Sequence, residues 1–78
     1  MFLQGEILKS KKRSEDYPKF VMVLFDRSPS HIQFNAVVIF CKSCSDELSE
    51  EDEVGYVTNN WNTSTWERSS WEEVKRWI

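Results

Sequence analysis

The residues with the most chemical potential stand in the middle of the chain. Cys41-Lys42-Ser43-Cys44 is a C-x-x-C pair, and His31 is the single histidine. A redox pair of this spacing needs a helix N-terminus or a nearby cation to lower the thiol pKa. Here the pair closes an apolar run and leads into residues 44–53, where six of the last eight residues are acidic. Anionic neighbours raise a thiol pKa, so the setting opposes redox reactivity. A structural zinc site takes four ligands, and two Cys and one His fall short of that within one chain. A site completed by carboxylates or shared across a dimer interface is the metal-binding alternative, and plain structural thiols are the simpler reading. No cofactor is expected. His31 directly follows Ser30, and adjacent strand side chains point apart, so the two make no nucleophile–base pair. No nucleophile elbow, glycine-rich phosphate loop or EF-hand is present. These absences point to a protein that binds and does not catalyse.

Three groups of residues are suited to binding. Lys9, Lys11, Lys12 and Arg13 form a basic stretch. With exposed indoles beside it, such a stretch holds single-stranded nucleic acid through charge and stacking; as a solvated hairpin loop it holds nothing. Trp61, Trp66, Trp71 and Trp77 recur at spacings of five, five and six. Core packing of most of them is the default, with one or two left at the surface as an anchor. A nucleotide pocket needs an aromatic plane and a cation, for which Trp61 or Trp66 with Arg13 or Arg68 are the candidates. The acidic run reads as a solvated loop, with mimicry of nucleic-acid charge as the sharper alternative. Asn62-Thr63-Ser64 has the pattern of a glycosylation acceptor, without meaning in a cytosolic chain.

Seventy-eight residues make one domain, 1–78, with a marginal core. Four Trp in that length are a heavy aromatic load. The net charge is −3, but its distribution is uneven. Residues 1–27 carry six basic and four acidic groups, a balance of +2, and residues 28–78 carry four basic and nine acidic, a balance of −5. A duplex-DNA-binding domain usually shows a basic surplus, which this chain lacks. The first residues do not have the pattern of a signal peptide. The longest apolar runs, 20–25 and 36–41, are six residues each, too short to span a bilayer. The expectation is a cytoplasmic protein with reduced thiols and no membrane contact.

These groups must be positioned by a β-rich scaffold. Residues 2–8 alternate weakly and predict a first strand, with a polar loop over 9–16. Pro18 lacks an N–H and belongs before a strand. Residues 19–25 are β-branched and aromatic and predict a second strand. Residues 26–30 are turn chemistry, and residues 31–41 predict a third strand. After the acidic loop, 54–58 predict a fourth, with Gly55 marking a bulge or a close backbone approach. Residues 59–70 predict a structured loop pinned by indoles. Ser69-x-x-Glu72 and Ser70-x-x-Glu73 are capping boxes that open a short C-terminal helix at about Trp71. Trp71, Val74, Trp77 and Ile78 share one face of it. The expected class is α+β, mostly β: a four-stranded antiparallel sheet or a small SH3-like barrel, with the helix packed on it. Strands apolar on both faces need cover on both. One short helix covers one face, so a homo-oligomer, most simply a two-fold dimer, is expected.

The stretch Phe34-Asn35-Ala36-Val37-Val38-Ile39, followed by Val54-Gly55-Tyr56-Val57-Thr58-Asn59-Asn60-Trp61, resembles small phage-encoded β-rich accessory proteins with an F-x-x-V-V-I … V-G-x-x-S/T-x-x-W arrangement. The resemblance covers about a third of the chain, departs in the Trp-rich tail and carries over no functional residue. It implies a phage accessory protein, a host-takeover inhibitor acting in the host-cell cytoplasm by binding a host or defence protein. The alternative is a nucleotide-signal sponge or a single-stranded nucleic-acid-binding module. The residues expected to carry binding are Trp61, Trp66, Arg68, Lys11, Lys12 and Arg13.

Overall fold

The computed structural model describes residues 2–25, 32–43 and 49–78. The expected turn at 26–30, His31, Cys44 and the first part of the acidic loop therefore lie outside the described residues. Five strands form one antiparallel sheet: β1 (Ile7–Ser10), β2 (Lys19–Phe25), β3 (Gln33–Cys41), β4 (Val57–Asn62) and β5 (Trp66–Arg68). Their order across the sheet is β4-β3-β2-β1-β5. A short helix, α1 (Trp71–Lys75), follows.

The four-stranded expectation is corrected to five. Residues 59–70, expected as a loop, supply most of β4, a 3₁₀ turn at Thr63–Thr65 and β5. Val54 and Gly55, expected in the fourth strand, belong to the turn before it, because Gly55 adopts φ +96°, a left-handed conformation that breaks a strand and that glycine takes without strain. A Cβ at Gly55 would meet nothing within 4 Å, so the glycine serves its own dihedral and not a close approach. The closed SH3-like barrel does not form either. No ladder joins β4 to β5, and both are edges.

Alternation along the strands gives the sheet two apolar faces. Leu8, Val21, Val23, Phe34, Ala36, Val38, Trp61 and Trp66 bury one face. Ile7 and Phe20 bury part of the other against Val74 of α1, with Met22, Ile39, Phe40 and Trp77 packed around them. A bulge holds this division through β3. Val21 pairs with Val38 but Phe20 pairs with Phe40, which leaves Ile39 as the extra residue. Phe40 thereby joins Phe20 at 6.2 Å on the helix side, and Cys41 returns to the indole side.

The indoles do the closing that hydrogen bonds do not. Trp61 on β4 and Trp66 on β5 meet edge to face, 5.3 Å apart. The turn between them is pinned locally and at both ends. Asn62 Oδ1 accepts from Ser64 N at 3.0 Å. Thr63 N donates to Ile32 O at 2.7 Å, and Lys11 N donates to Thr65 O at 2.8 Å. The open edges are also guarded. β4 is bulged at Asn59-Asn60, where Asn60 N donates to the Thr58 hydroxyl, and β5 is three residues long with exposed Glu67 and Arg68. Short, bulged and charged edges resist pairing with other chains.

α1 begins where the capping box places it. Ser70 Oγ accepts from Glu73 N at 3.4 Å. The Glu73 carboxylate turns to the Ser69 hydroxyl and to Lys9 Nζ, the latter at 2.7 Å, and so ties the helix to β1. The expected apolar face is realised only in part. Val74 is fully buried and Trp77 half-buried, whereas Trp71 is 48% exposed and Ile78 is 83% exposed. Five helical residues make little more than one turn, and one turn seats one side chain fully.

Candidate functional site

Two surfaces have the makings of a binding site. The first is a cleft of about 290 Å³ on the indole side, lined by the end of β1, the loop after it, the 3₁₀ turn at Glu50–Asp52 and both edge strands. Four of the residues expected to bind converge there: Trp61, Trp66, Lys12 and Arg13. The other two do not line it. Lys11 contributes only its backbone to the Thr65 carbonyl. Arg68 pairs with Glu6 at 3.0 Å and lies 5.1 Å above the Phe2 ring.

Most of the charge in the cleft is committed to the fold. Lys19, nearly buried at the start of β2, donates to Asp52 Oδ1 at 2.9 Å and sits 4.7 Å above the Trp61 ring. The Arg13 guanidinium donates to Tyr17 O at 2.9 Å and to Lys42 O at 2.6 Å, with Asp52 at 3.7 Å. Asp52 also accepts from the Ser49 hydroxyl at 3.1 Å. Burial pushes the Asp52 carboxyl upward, but hydrogen bonds from Lys19 and Ser49 and the nearby Arg13 charge together hold it below the usual carboxylate range. Sequence reading missed Lys19 and Asp52 because one looked like a strand's first residue and the other like one acid among many.

The indoles themselves are core. Trp61 is 9% exposed and Trp66 5%, and Trp61 Nε1 donates to Ala36 O at 3.1 Å. Lys19 occupies one face of Trp61, and Tyr56 and Trp66 contact it edge-on. A base therefore finds no open indole plane in the cleft on which to stack. The remaining Cys41 is half-buried, and burial first of all raises its thiol pKa, which disfavours the reactive thiolate. Among the described residues no three His, Cys, Asp or Glu gather to hold a metal. No described helix is long and apolar enough to cross a membrane.

The second surface is the part of the helix-side face that α1 leaves uncovered. Register aligns Ile7, Met22, Val37 and Val57 in one row across β1, β2, β3 and β4. Ile7 is buried under Val74, Met22 and Val37 are half-buried, and Val57 is 50% exposed. Val54, before β4, is 68% exposed and directly follows the acidic residues Glu50, Glu51, Asp52 and Glu53. No protein family, no curated protein and no solved structure matches the chain.

Proposed function

We propose that this chain is a non-catalytic protein-binding module that acts by covering a site on its partner. The observation that carries this reading is the row Ile7–Met22–Val37–Val57, apolar across four strands and covered at one end only. The part of this row that α1 leaves uncovered, the half-buried Met22 and Val37 and the exposed Val57, offers an apolar anchor for a partner. The strip spans three inter-strand steps, about 14 Å. One side chain wide, it falls well short of the about 800 Å² that each side of a standard interface contributes. It therefore serves as the anchor of a larger contact whose rim is polar. Glu50 and Glu53, exposed and acidic, come shortly before β4, the edge strand that carries Val57. The fitting occupant is a protein surface with an apolar anchor and a basic rim, since complementary charge sets register and speeds encounter.

The resemblance to phage accessory proteins makes a host or defence protein, met in the host-cell cytoplasm, the candidate partner. The nucleotide and single-stranded nucleic-acid reading is less well supported, because the Trp61 and Trp66 planes are occupied within the fold. A second copy of the chain is the competing occupant. Affinity capture from a bacterial lysate, with identification of retained proteins and nucleotides, tests the reading. The wild type is expected to retain a protein that Val57→Arg loses and Lys12→Gln keeps, and replacing Glu50 and Glu53 by Gln should weaken that binding. Equal retention by Val57→Arg, retention of nucleotide alone, or a solution mass twice 9.3 kDa that Val57→Arg halves, would each overturn it.

A further inference from the structure

We propose that the cleft on the indole side is an oxyanion site, built to take inorganic phosphate or the phosphate of a small monoester. Two neighbouring donors are left without an acceptor among the described residues. Ser10 and Trp66 are direct cross-strand partners on β1 and β5, and both line the cleft. Ser10 is 8% exposed and Trp66 5%. The Ser10 oxygen accepts from Lys12 N at 3.2 Å, which leaves its O–H to give. Among the described residues nothing accepts the Trp66 indole N–H. That N–H is not sealed in the core either, since Asn35 Oδ1 is the only fully buried, unbonded side-chain polar atom among the described residues. An accessible indole N–H without a partner in the fold, on a residue that lines a cleft, is a donor that a ligand from outside can use.

A cation stands next to this pair. The bond from Lys12 N to Ser10 fixes Lys12 at the cleft, and no carboxylate pairs with its ammonium among the described residues. Arg13 and Lys19 are spent on carbonyls and on Asp52, but they still make the lining positive: three basic residues against Glu51 and Asp52. Asn60 and Asn62 add side-chain amides from β4. Donors from an N–H, an O–H, amides and an ammonium, with a surplus of positive charge, match a compact oxyanion. The cleft's about 290 Å³ lies at the small end for ligand pockets, and its closed indole planes leave a base unread.

This site lies on the face opposite the protein-docking strip, so either reading can fail without the other. The test is a titration of the ¹⁵N-labelled full chain with sodium phosphate at constant ionic strength, read at the four indole N–H signals. The Trp66 signal is expected to shift saturably, and a matched chloride titration to leave it in place. Lys12→Gln, at an exposed position, should weaken the phosphate effect about tenfold, and Ser10→Ala should weaken it as well, while Lys75→Gln leaves it unchanged. A nucleoside monophosphate should act like phosphate, and an oligothymidylate lacking a terminal phosphate should act far more weakly. A Trp66 signal that stays put, responds equally to chloride or responds equally in Lys12→Gln would overturn the site. Stronger binding of the oligothymidylate would replace it with a nucleic-acid backbone groove.

Discussion

At the scale of single residues, the sequence announces which side chains matter more clearly than what they do. Trp61 and Trp66 stand out by type, and a stacking platform is the natural expectation. Their use as core is set by Lys19, which no spacing rule connects to Trp61 because the two sit on non-adjacent strands. Truncating Trp61 to Ala should cost about 3–5 kcal/mol. A chain of 78 residues has about 4–12 kcal/mol in total, so the loss takes a quarter or more of its stability, and urea unfolding should show a strongly lowered midpoint. Gly55 was legible as special but for the wrong reason. With φ +96° and open space around it, Gly55→Ala meets no clash yet forces a left-handed backbone on a residue with a Cβ. The expected loss is about 1–2 kcal/mol, measurable as a lower urea midpoint at unchanged slope. Asp52 carries a pH signature. Its folded carboxyl is held below the unfolded value, so its pairing contributes stability above the ordinary carboxylate pKa. That contribution fades as pH falls through the depressed value. Thermal melts between neutral and strongly acidic pH should therefore fall less steeply for Asp52→Asn than for the wild type.

At the scale of elements, the strands built from β-branched and aromatic runs were readable, and so was the helix cap. The reading failed over 59–70, where β4 is an edge. An edge strand buries only every second residue on one face, and the bulge at Asn59-Asn60 interrupts even that alternation. Local sequence there looks like a loop because the information that makes it a strand lies in β3. The helix shows the same dependence. Its register was legible, but its contacts are fixed by Ile7, Phe20 and Lys9 on the sheet. Val74→Ala should cost about 2 kcal/mol through lost burial and the space left behind. Ending the chain after Ser70 uncovers Ile7 and Phe20 together, and an unfolded or insoluble product is the expected outcome by amide NMR dispersion. Glu73→Gln, which leaves Val74 in place, should cost only about 0.5–1 kcal/mol, because the Lys9–Glu73 pair is partly solvated. A larger loss in that variant would mean that the ion pair, and not the valine, seats α1.

At the scale of the whole molecule, the need for cover on two faces was legible from two strands that are apolar without alternation. How the chain meets it was not. One face is closed by the chain's own edge indoles, and the other is covered by α1 at one end. The uncovered row remains a motive for self-association, and light scattering at micromolar concentration reads it directly against the monomer mass of 9.3 kDa. The meeting of Trp61 and Trp66 has an optical consequence. Their rings are 5.3 Å apart and inclined at 75°, close enough for the electronic transitions of the two chromophores to mix. Mixed transitions split into a pair of circular-dichroism bands of opposite sign in the indole region of the far ultraviolet. Either Trp61→Phe or Trp66→Phe removes one partner and should abolish the couplet, while amide dispersion reports that the sheet persists. Because the two rings belong to the two outermost strands, the couplet follows the approach of the sheet's edges in solution, and its loss during denaturation times the moment at which the sheet uncurls.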